Sequence, residues 1–224
     1  MFTVQIDHMN LHQIANSGQC FRWRQIEDNS YRIPAFEREL TISQDGNTFI
    51  LSCDENEWDS LWKNYFDVDT DTDYNEVENI IMNTNDNFLK AAYQFGSGIR
   101  ILRQDLWEII ISFIISQNNN IPRIRKSIEK ICAEVDGRFP EWYDLINMDL
   151  SDKGLGYRDE YIRNACYTRA TTFTDDDLEQ LPQERLISLF LKMKKLFNKA
   201  CERCDKLEKE NIELTDLDKL IDEI

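Results

Sequence analysis

The chain has 224 residues, of which 42% are hydrophobic and 30% are charged. Acidic residues outnumber basic ones by 42 to 26, which gives a formal net charge of −16 and an isoelectric point of about 4.5. This balance excludes broad, sequence-independent binding of nucleic acid, which needs clustered lysine and arginine. No apolar run is long enough to span a bilayer, and the start, MFTVQIDHMN, lacks the pattern of a secretory signal. We therefore expect a cytoplasmic protein with one large domain or two small ones.

The amino-terminal segment has the alternation and the turns of short antiparallel strands. Strands are predicted in FTVQI, CFRWRQI, YRIPAFERELTISQ and NTFILSC, with a tight turn at residues 44–47. Between the first two strands, NLHQIANSG predicts one or two helical turns that end at Gly18. This part of the chain therefore predicts a small sheet with a short helix.

The apolar period becomes helical from Glu57 onward. Helices are predicted in residues 58–66, 74–82 and 86–96, and Asp105 is predicted to cap the apolar helix LWEIIISFIISQ. Pro122 is predicted to start the next helix, PRIRKSIEKICAEV, because proline is tolerated in a first turn. Two shorter helical patterns follow, FPEWYDLINM and GLGYRDEYIRNACY. The predicted fold class is α+β, a small N-terminal antiparallel sheet domain followed by an all-helical domain.

We place the domain boundaries at residues 1–90, 91–170 and 171–224. The last segment contains no glycine, and its apolar residues recur every seven positions from Leu186 to Ile221. This pattern indicates a long amphipathic helix. An apolar stripe of this kind usually packs on its own domain, and the alternative is a surface for self-association or for a protein partner.

Six cysteines are scattered through the chain, mostly inside apolar segments. Without a secretory signal, they are predicted to be reduced thiols in the core rather than a disulfide framework. Cys201 and Cys204 form a single CxxC pair, and a zinc or iron–sulfur site needs further ligands at similar spacing. We therefore predict no metal and no cofactor.

The stretch SQNNNIPRIR, residues 116–125, follows the apolar helix directly. Amide and guanidinium groups can hydrogen-bond base edges, and the one basic face of this acidic chain is expected here. That face comprises Arg123, Arg125, Lys126 and Lys130. The simpler interpretation is a turn between two helices, because asparagine caps helices and tolerates unusual backbone angles.

Three stretches in order, SGQCFRW (17–23), RILRQDLWEIIISFIISQNNNIPRI (100–124) and LGYRDEYI (155–162), resemble one family. It is the 8-oxoguanine DNA glycosylase/AP-lyase branch of the helix-hairpin-helix glycosylases, and the resemblance covers about residues 1–170. It implies base-excision repair of double-stranded DNA, in which oxidised guanine opposite cytosine is extruded and then removed through a lysine Schiff base. The alternative is a paralogue that binds damaged DNA or a protein without catalysis.

The resemblance implies roles for five residues of these stretches. Asn118 would enter the gap beside the orphaned cytosine, and Arg123 and Arg158 would donate to the acceptor edge of that base. Tyr157 would wedge into the base stack. The carbonyl of Gly18 would accept from N7–H of the oxidised guanine, a donor that the normal base lacks.

The catalytic hairpin of the family, of the form L-P-G-V-G-x-K-V-A-D, is not recognisable, because the sequence has no glycine after Gly156. Alignment of KKLFNKACE (194–202) with the hairpin places Lys199 at the position of the nucleophile. Considered alone, Lys199 is an ordinary lysine of an amphipathic helix. Asp216 and Asp218 lie where the catalytic aspartate is sought, and both also suit a helix start. The sequence thus predicts a family member with a remodelled or truncated carboxy-terminal part.

Overall fold

The computed structural model describes residues 2–68 and 72–172. Its contacts divide the chain into two compact units, Met1–Thr171 and Thr172–Ile224. Lys199, Cys201, Cys204 and the predicted amphipathic helix lie outside the described residues. None of the helices in the described ranges is long and apolar enough to cross a membrane.

A five-stranded antiparallel sheet forms the amino-terminal half, in the order β1-β5-β4-β3-β2. The strands are β1 Phe2–Gln5, β2 Arg24–Glu27, β3 Ser30–Ala35, β4 Arg38–Asp45 and β5 Thr48–Leu51. Ile33 pairs with Leu40, and both side chains are fully buried on one face of the sheet. The predicted sheet is therefore confirmed.

One predicted strand is shorter than its sequence pattern indicated. We expected strand from Cys20, whereas β2 begins at Arg24. Cys20 and Trp23 are both buried in the same core, although they are three positions apart. In a strand, residues with this spacing point to opposite faces. The chain must therefore bend before Arg24 to bury both side chains.

Short helices cover the buried face of the sheet. They are α1 Leu11–Asn16, α2 Glu55–Glu57, a π-helical turn Trp58–Trp62 and α3 Lys63–Tyr65. Aromatic rings from these elements pack edge to face, and the ring centroids of Trp62 and Tyr65 are 5.5 Å apart. The indole N–H of Trp23 donates to the hydroxyl of Tyr65 at 2.9 Å, so the most buried polar atoms of this core are paired.

Two helices follow, α4 Tyr74–Met82 with the predicted bounds and α5 Asn87–Gly96, which begins one residue later than predicted. Asp73 and Asp86 cap them, since each side chain accepts hydrogen bonds from the first-turn amides. Neither helix contains a buried residue. The pair therefore lies at the surface of the molecule.

The carboxy-terminal half of the described chain is helical. Its helices are α6 Leu106–Ser116, α7 Ile121–Ala133, α8 Trp142–Asn147 and α9 Arg158–Thr172. Asp105 caps α6 as predicted, and its carboxylate accepts from the amide of Glu108 at 2.8 Å. The predicted inward positions of α7 are confirmed, and they belong to a second core separate from that of the sheet. They are Ile124, Ile128 and Ile131.

Close contacts join Asp67 after α3, and Asn10 before α1, to the segment that leads into α6. The carboxylate of Asp67 is buried and accepts from Nε of Arg103 at 2.9 Å. The buried guanidinium of Arg100 donates to the carbonyl of Asp67 at 2.7 Å. Gly98 approaches Asn10 so closely that an added Cβ would lie 2.4 Å from the Cβ of Asn10. This segment therefore fixes where α6 starts relative to the sheet.

Candidate nucleic-acid interface

The loop between α6 and α7 contains the three consecutive asparagines, and each has a different local role. Asn119 donates from its amide to the carbonyl of Ile115 at 3.0 Å and closes α6. Asn120 caps α7, because its side chain accepts from the amide of Arg123 at 3.1 Å. Asn118 has φ of +45°, in the left-handed region that asparagine tolerates better than most residues. The capping interpretation therefore explains two asparagines and leaves the side chain of the third unused.

The side chain of Asn118 is exposed at the tip of the loop. Within residues 2–68 and 72–172, no hydrogen bond engages its amide group. An exposed amide held in a left-handed backbone position presents both a donor and an acceptor to a ligand. This is the environment expected for a group that enters a gap in a base stack.

Arg158, the first residue of α9, binds this loop from the other side. Its Nε and Nη2 both donate to the carbonyl of Gln117, at 2.8 and 2.5 Å. Nη2 also donates to the carbonyl of Asn118, and Nη1 to that of Leu155, each at 2.9 Å. A cation suits this place, because the last carbonyls of a helix carry partial negative charge.

This placement restricts the role that we predicted for Arg158. The side chain is buried, and four hydrogen bonds use four of the five N–H donors of its guanidinium. Without a change of rotamer, one N–H of Nη1 is left for a base. In this conformation Arg158 therefore mainly holds the loop in position, and only one N–H group is left to bind a cytosine.

Tyr157, which directly precedes Arg158, packs against the guanidinium of that arginine. The guanidinium carbon of Arg158 is 4.6 Å from the centre of the Tyr157 ring, a cation–π distance. The other flank of the ring contacts Tyr161, with centroids 5.8 Å apart and planes nearly perpendicular. About half of the Tyr157 side chain is exposed. An aromatic ring that is held by neighbours and still half-exposed is suited to stack on bases.

The predicted basic face is smaller in the structure than in the sequence. Arg123 and Lys126 are exposed on α7. Arg125 is half-buried and donates to the carbonyl of Ala15 at 3.3 Å, and Lys130 donates to the carbonyl of Asp152. Two of the four cations therefore serve the fold, and two remain for phosphate or base contacts.

Gly18 lies at the end of α1 with φ of +83°, a conformation that glycine adopts without strain. It is exposed, and an added Cβ would meet no atom within 4 Å. The bond from Arg125 to Ala15 places the end of α1 against α7. Of the predicted site residues, Arg158 contacts both Asn118 and Tyr157. Arg123 lies at the start of α7. Gly18 lies on a separate element.

Gln19 has a role that the sequence analysis missed. Its side-chain oxygen accepts from the amide of Leu102 at 2.8 Å, and its Nε2 donates to the carbonyl of Arg100 at 2.9 Å. Its own carbonyl accepts from Nε2 of Gln104 at 2.7 Å. The Gly18 loop is therefore fixed to the segment that enters α6. The sequence signal that could have identified Gln19 is its position directly after Gly18 in the stretch SGQCFRW.

A cleft of about 610 Å³ lies elsewhere, between the β3–β4 turn and the α7–α8 connection. It is rich in carboxylates, and burial raises the pKa of both Glu108 and Glu141 on its wall. None of the five predicted DNA-binding residues lines it. Among the described residues, no group of three or more histidine, cysteine or acidic side chains could hold a metal ion.

Comparison with known proteins shows which family the chain resembles. The sequence profile of the 8-oxoguanine DNA glycosylase N-terminal domain matches residues 1–110. The N-glycosylase/DNA lyase of Saccharomyces cerevisiae is 30% identical over 181 residues, which is 68% of this chain and 47% of the relative. This chain thus spans about half the length of that relative.

Solved structures extend the likeness to the helical half. MBOgg1 in complex with a low-affinity DNA ligand superposes with a TM-score of 0.73 at 33% identity, over 82% of this chain and 68% of that one. The 8-oxoguanine glycosylase/lyase of Clostridium acetobutylicum, in complex with duplex DNA containing cytosine opposite 8-oxoguanine, gives a TM-score of 0.67 at 29% identity. That match covers 84% of this chain and 69% of the other. The chain described here belongs to the 8-oxoguanine DNA glycosylase/AP-lyase family.

Proposed function

We propose that this protein acts in base-excision repair and binds duplex DNA that carries an oxidised guanine opposite cytosine. The observation that carries the proposal is the cluster formed by the Arg158 contacts. One side chain thereby binds the backbone of Asn118, whose amide is exposed, and also contacts the half-exposed ring of Tyr157. The Clostridium acetobutylicum relative, solved with DNA containing cytosine opposite 8-oxoguanine, supports the choice of substrate.

Each exposed group has a distinct task in this proposal. Tyr157 stacks on a base next to the gap, because about half of the residue is exposed. Asn118 and Arg123 bond the edge of the cytosine, which loses its partner when the damaged base leaves the stack. Lys126 contacts phosphate as a point charge. The net charge of −16 argues only against binding through a broad basic surface, whereas this proposal needs only a few local groups.

The test is binding of pure protein to labelled duplexes, measured by fluorescence anisotropy at a stated salt concentration. The duplexes carry 8-oxoguanine or an abasic analogue opposite each of the four bases. We expect a preference for cytosine that Asn118→Ala and Arg123→Ala weaken by about tenfold each, or roughly 1–3 kcal/mol.

Lys126→Ala is the matched control, because it removes one cation from the same exposed helix. It should weaken binding to all duplexes alike and leave the cytosine preference intact, as expected for a phosphate contact. Equal and weak binding of the wild-type protein to every duplex would contradict the proposal.

Excision of the base is the second part of the proposal, with Lys199 as the nucleophile. A lysine amine that attacks the sugar C1′ displaces the base and forms a Schiff base, which eliminates the 3′ phosphate. Lys199 lies outside the described residues, so this role rests on the family alignment. Two further points likewise stay predictions. One is a cytoplasmic location, and the other is self-association or a protein partner through residues 171–224.

A second candidate function is binding without excision. It is favoured by one specific observation, the absence of glycine from the sequence after Gly156. The family hairpin uses glycines so that backbone amides can approach a phosphate closely. A protein that keeps the cytosine-reading loop and lacks the hairpin would bind the lesion and leave the strand intact.

A further inference from the structure

Helix α5 presents two phenylalanines to solvent on one face. Phe88 is 84% exposed and Phe95 is 85% exposed. They are seven positions apart, a spacing that places both on the same side of a helix. Ala91 and Ala92 lie between them and are also exposed. These four residues form an apolar surface, here named the α5 face, that is unusual for a soluble protein.

The neighbouring helix α4 repeats this arrangement. Its Ile80 is 60% exposed, and Val77, one turn earlier, is also exposed. Both helices are amphipathic, yet neither has a buried residue. In an ordinary surface helix the apolar stripe faces the core. Here no residue of either stripe is fully buried, and the apolar residues Ile81, Met82 and Tyr93 are half-buried.

Polar contacts attach this helical pair to the body instead. The hydroxyl of Tyr74 donates to the buried carboxylate of Asp67 at 2.7 Å. His8 contacts the amide oxygen of Asn75 at 3.0 Å. At the end of α5, Nε2 of Gln13 donates to the carbonyl of Phe95 at 2.9 Å. These hydrogen bonds help to anchor the pair, while the rings of Phe88 and Phe95 stay available to another molecule.

The charges around the α5 face indicate what that molecule is. Residues 72–99 contain one basic residue, Lys90. The acidic residues of this segment outnumber it and all lie on or beside the two helices; they are Asp73, Glu76, Glu78 and Asp86. An apolar face with an acidic surround complements an amphipathic helix that carries basic residues beside its apolar stripe. A second copy of this chain would bring the same acidic surround against the first.

We propose that the α5 face is a docking site for a cationic amphipathic helix of a second polypeptide. Phe88 and Phe95 are the anchors, since exposed aromatic side chains supply most of the energy when such a surface is covered. The proposal is independent of DNA binding, because none of the residues given a role in that function lies on α4 or α5.

The experiment uses the full chain and a labelled 18-residue peptide of leucine and lysine, with leucines at helical spacing. Binding is followed by fluorescence anisotropy. We expect the double variant Phe88→Ser/Phe95→Ser to weaken binding at least about tenfold, which corresponds to about 1.4 kcal/mol. Both side chains are exposed, so the variant should keep the wild-type urea midpoint.

Two controls separate this site from general stickiness and from charge alone. Ile26→Ser removes a half-exposed apolar side chain from β2, far along the chain, and should change the affinity less than twofold. A peptide with glutamate in place of every lysine should bind at least tenfold more weakly than the cationic one.

Two results would overturn the proposal. One is equal affinity of the cationic peptide for the wild-type protein and the double variant. The other is a wild-type dimer in sedimentation velocity that the double variant abolishes, because the α5 face would then belong to a second copy of the chain.

Discussion

The Nη2 group of Arg158 lies 2.9 Å from the carbonyl oxygen of Asn118, so a buried cation holds the backbone of the exposed amide. The same side chain binds Gln117 and Leu155, which fixes the end of α6 to the start of α9. Helix ends leave carbonyl groups without hydrogen-bond donors, and here an arginine supplies the donors. The arrangement of the loop between α6 and α7 therefore depends on a residue to which the family resemblance gives a contact with the base itself.

The first prediction concerns the substitution Arg158→Lys. One ammonium group cannot reach three carbonyls in the planar fork geometry of a guanidinium, so buried carbonyls lose their donors. We expect a loss of about 2–3 kcal/mol in the free energy of unfolding, measured by urea denaturation. Lysine preserves the charge, so the result isolates geometry from electrostatics.

Arg123→Lys is the control for this measurement. Arg123 is exposed, and its change to lysine should alter the unfolding free energy by less than about 0.5 kcal/mol. If Arg158→Lys proves equally harmless, the contacts with Gln117 and Asn118 do not hold the loop.

The sequence predicted elements best where a local signal marks a boundary. Asp105 and Pro122 are such signals: α6 begins directly after Asp105, and α7 begins at Ile121, one residue before Pro122. The start of β2 was wrong because Trp23 is buried by tertiary packing, which no local pattern encodes. The sequence also placed Arg125 on a basic face, whereas its guanidinium binds Ala15, 110 positions away along the chain. Long-range hydrogen bonds of this kind leave no trace in periodicity or spacing.

The second prediction concerns Gln19 and the segment that enters α6. Gln19→Ala removes the acceptor for the Leu102 amide and the donor for the Arg100 carbonyl. We expect the Leu102 amide to exchange with solvent at least about tenfold faster, because each bond lost from a partly buried group costs roughly 1 kcal/mol or more. Hydrogen exchange followed by NMR measures this directly.

Gln19→Glu provides the matched comparison. A carboxylate still accepts from the Leu102 amide but cannot donate to the Arg100 carbonyl, so protection of Leu102 should be largely retained. If Gln19→Ala leaves the Leu102 amide as protected as it is in the wild-type protein, the bond does not fix this segment.

The third prediction is a pH dependence that originates in a buried thiol. Burial raises the pKa of Cys20 from 9.0 to about 12, with a smaller contribution from Glu108. Above pH 9.0 the unfolded chain therefore loses this proton while the folded chain keeps it. A folded-state pKa above the unfolded value means that stability is complete below pH 9.0 and declines as the pH rises towards about 12.

The measurement compares the wild-type protein with Cys20→Ala in urea, under reducing conditions, at pH 8 and pH 10. Alanine does not titrate, so the stability advantage of the wild-type protein should shrink by about 1.4 kcal/mol over this interval. Ile14→Val, a change in the same core, should show a deficit that does not vary with pH. A deficit of Cys20→Ala that is equally constant would show that the thiol does not titrate differently on unfolding.

The fourth prediction separates excision of the base from recognition of its partner. Borohydride reduces a Schiff base between a lysine and the sugar to a stable amine, so a protein that cuts through Lys199 becomes covalently attached to an 8-oxoguanine:cytosine duplex. We expect this adduct with the wild-type protein, its loss in Lys199→Ala, and its retention in Lys195→Ala, which removes a lysine four positions earlier. A wild-type protein that forms no adduct but still prefers cytosine opposite the lesion would recognise the lesion without attacking the sugar. In the proposed function, recognition depends on Asn118 and Arg123, whereas attack depends on a lysine far along the chain, so either activity can persist without the other.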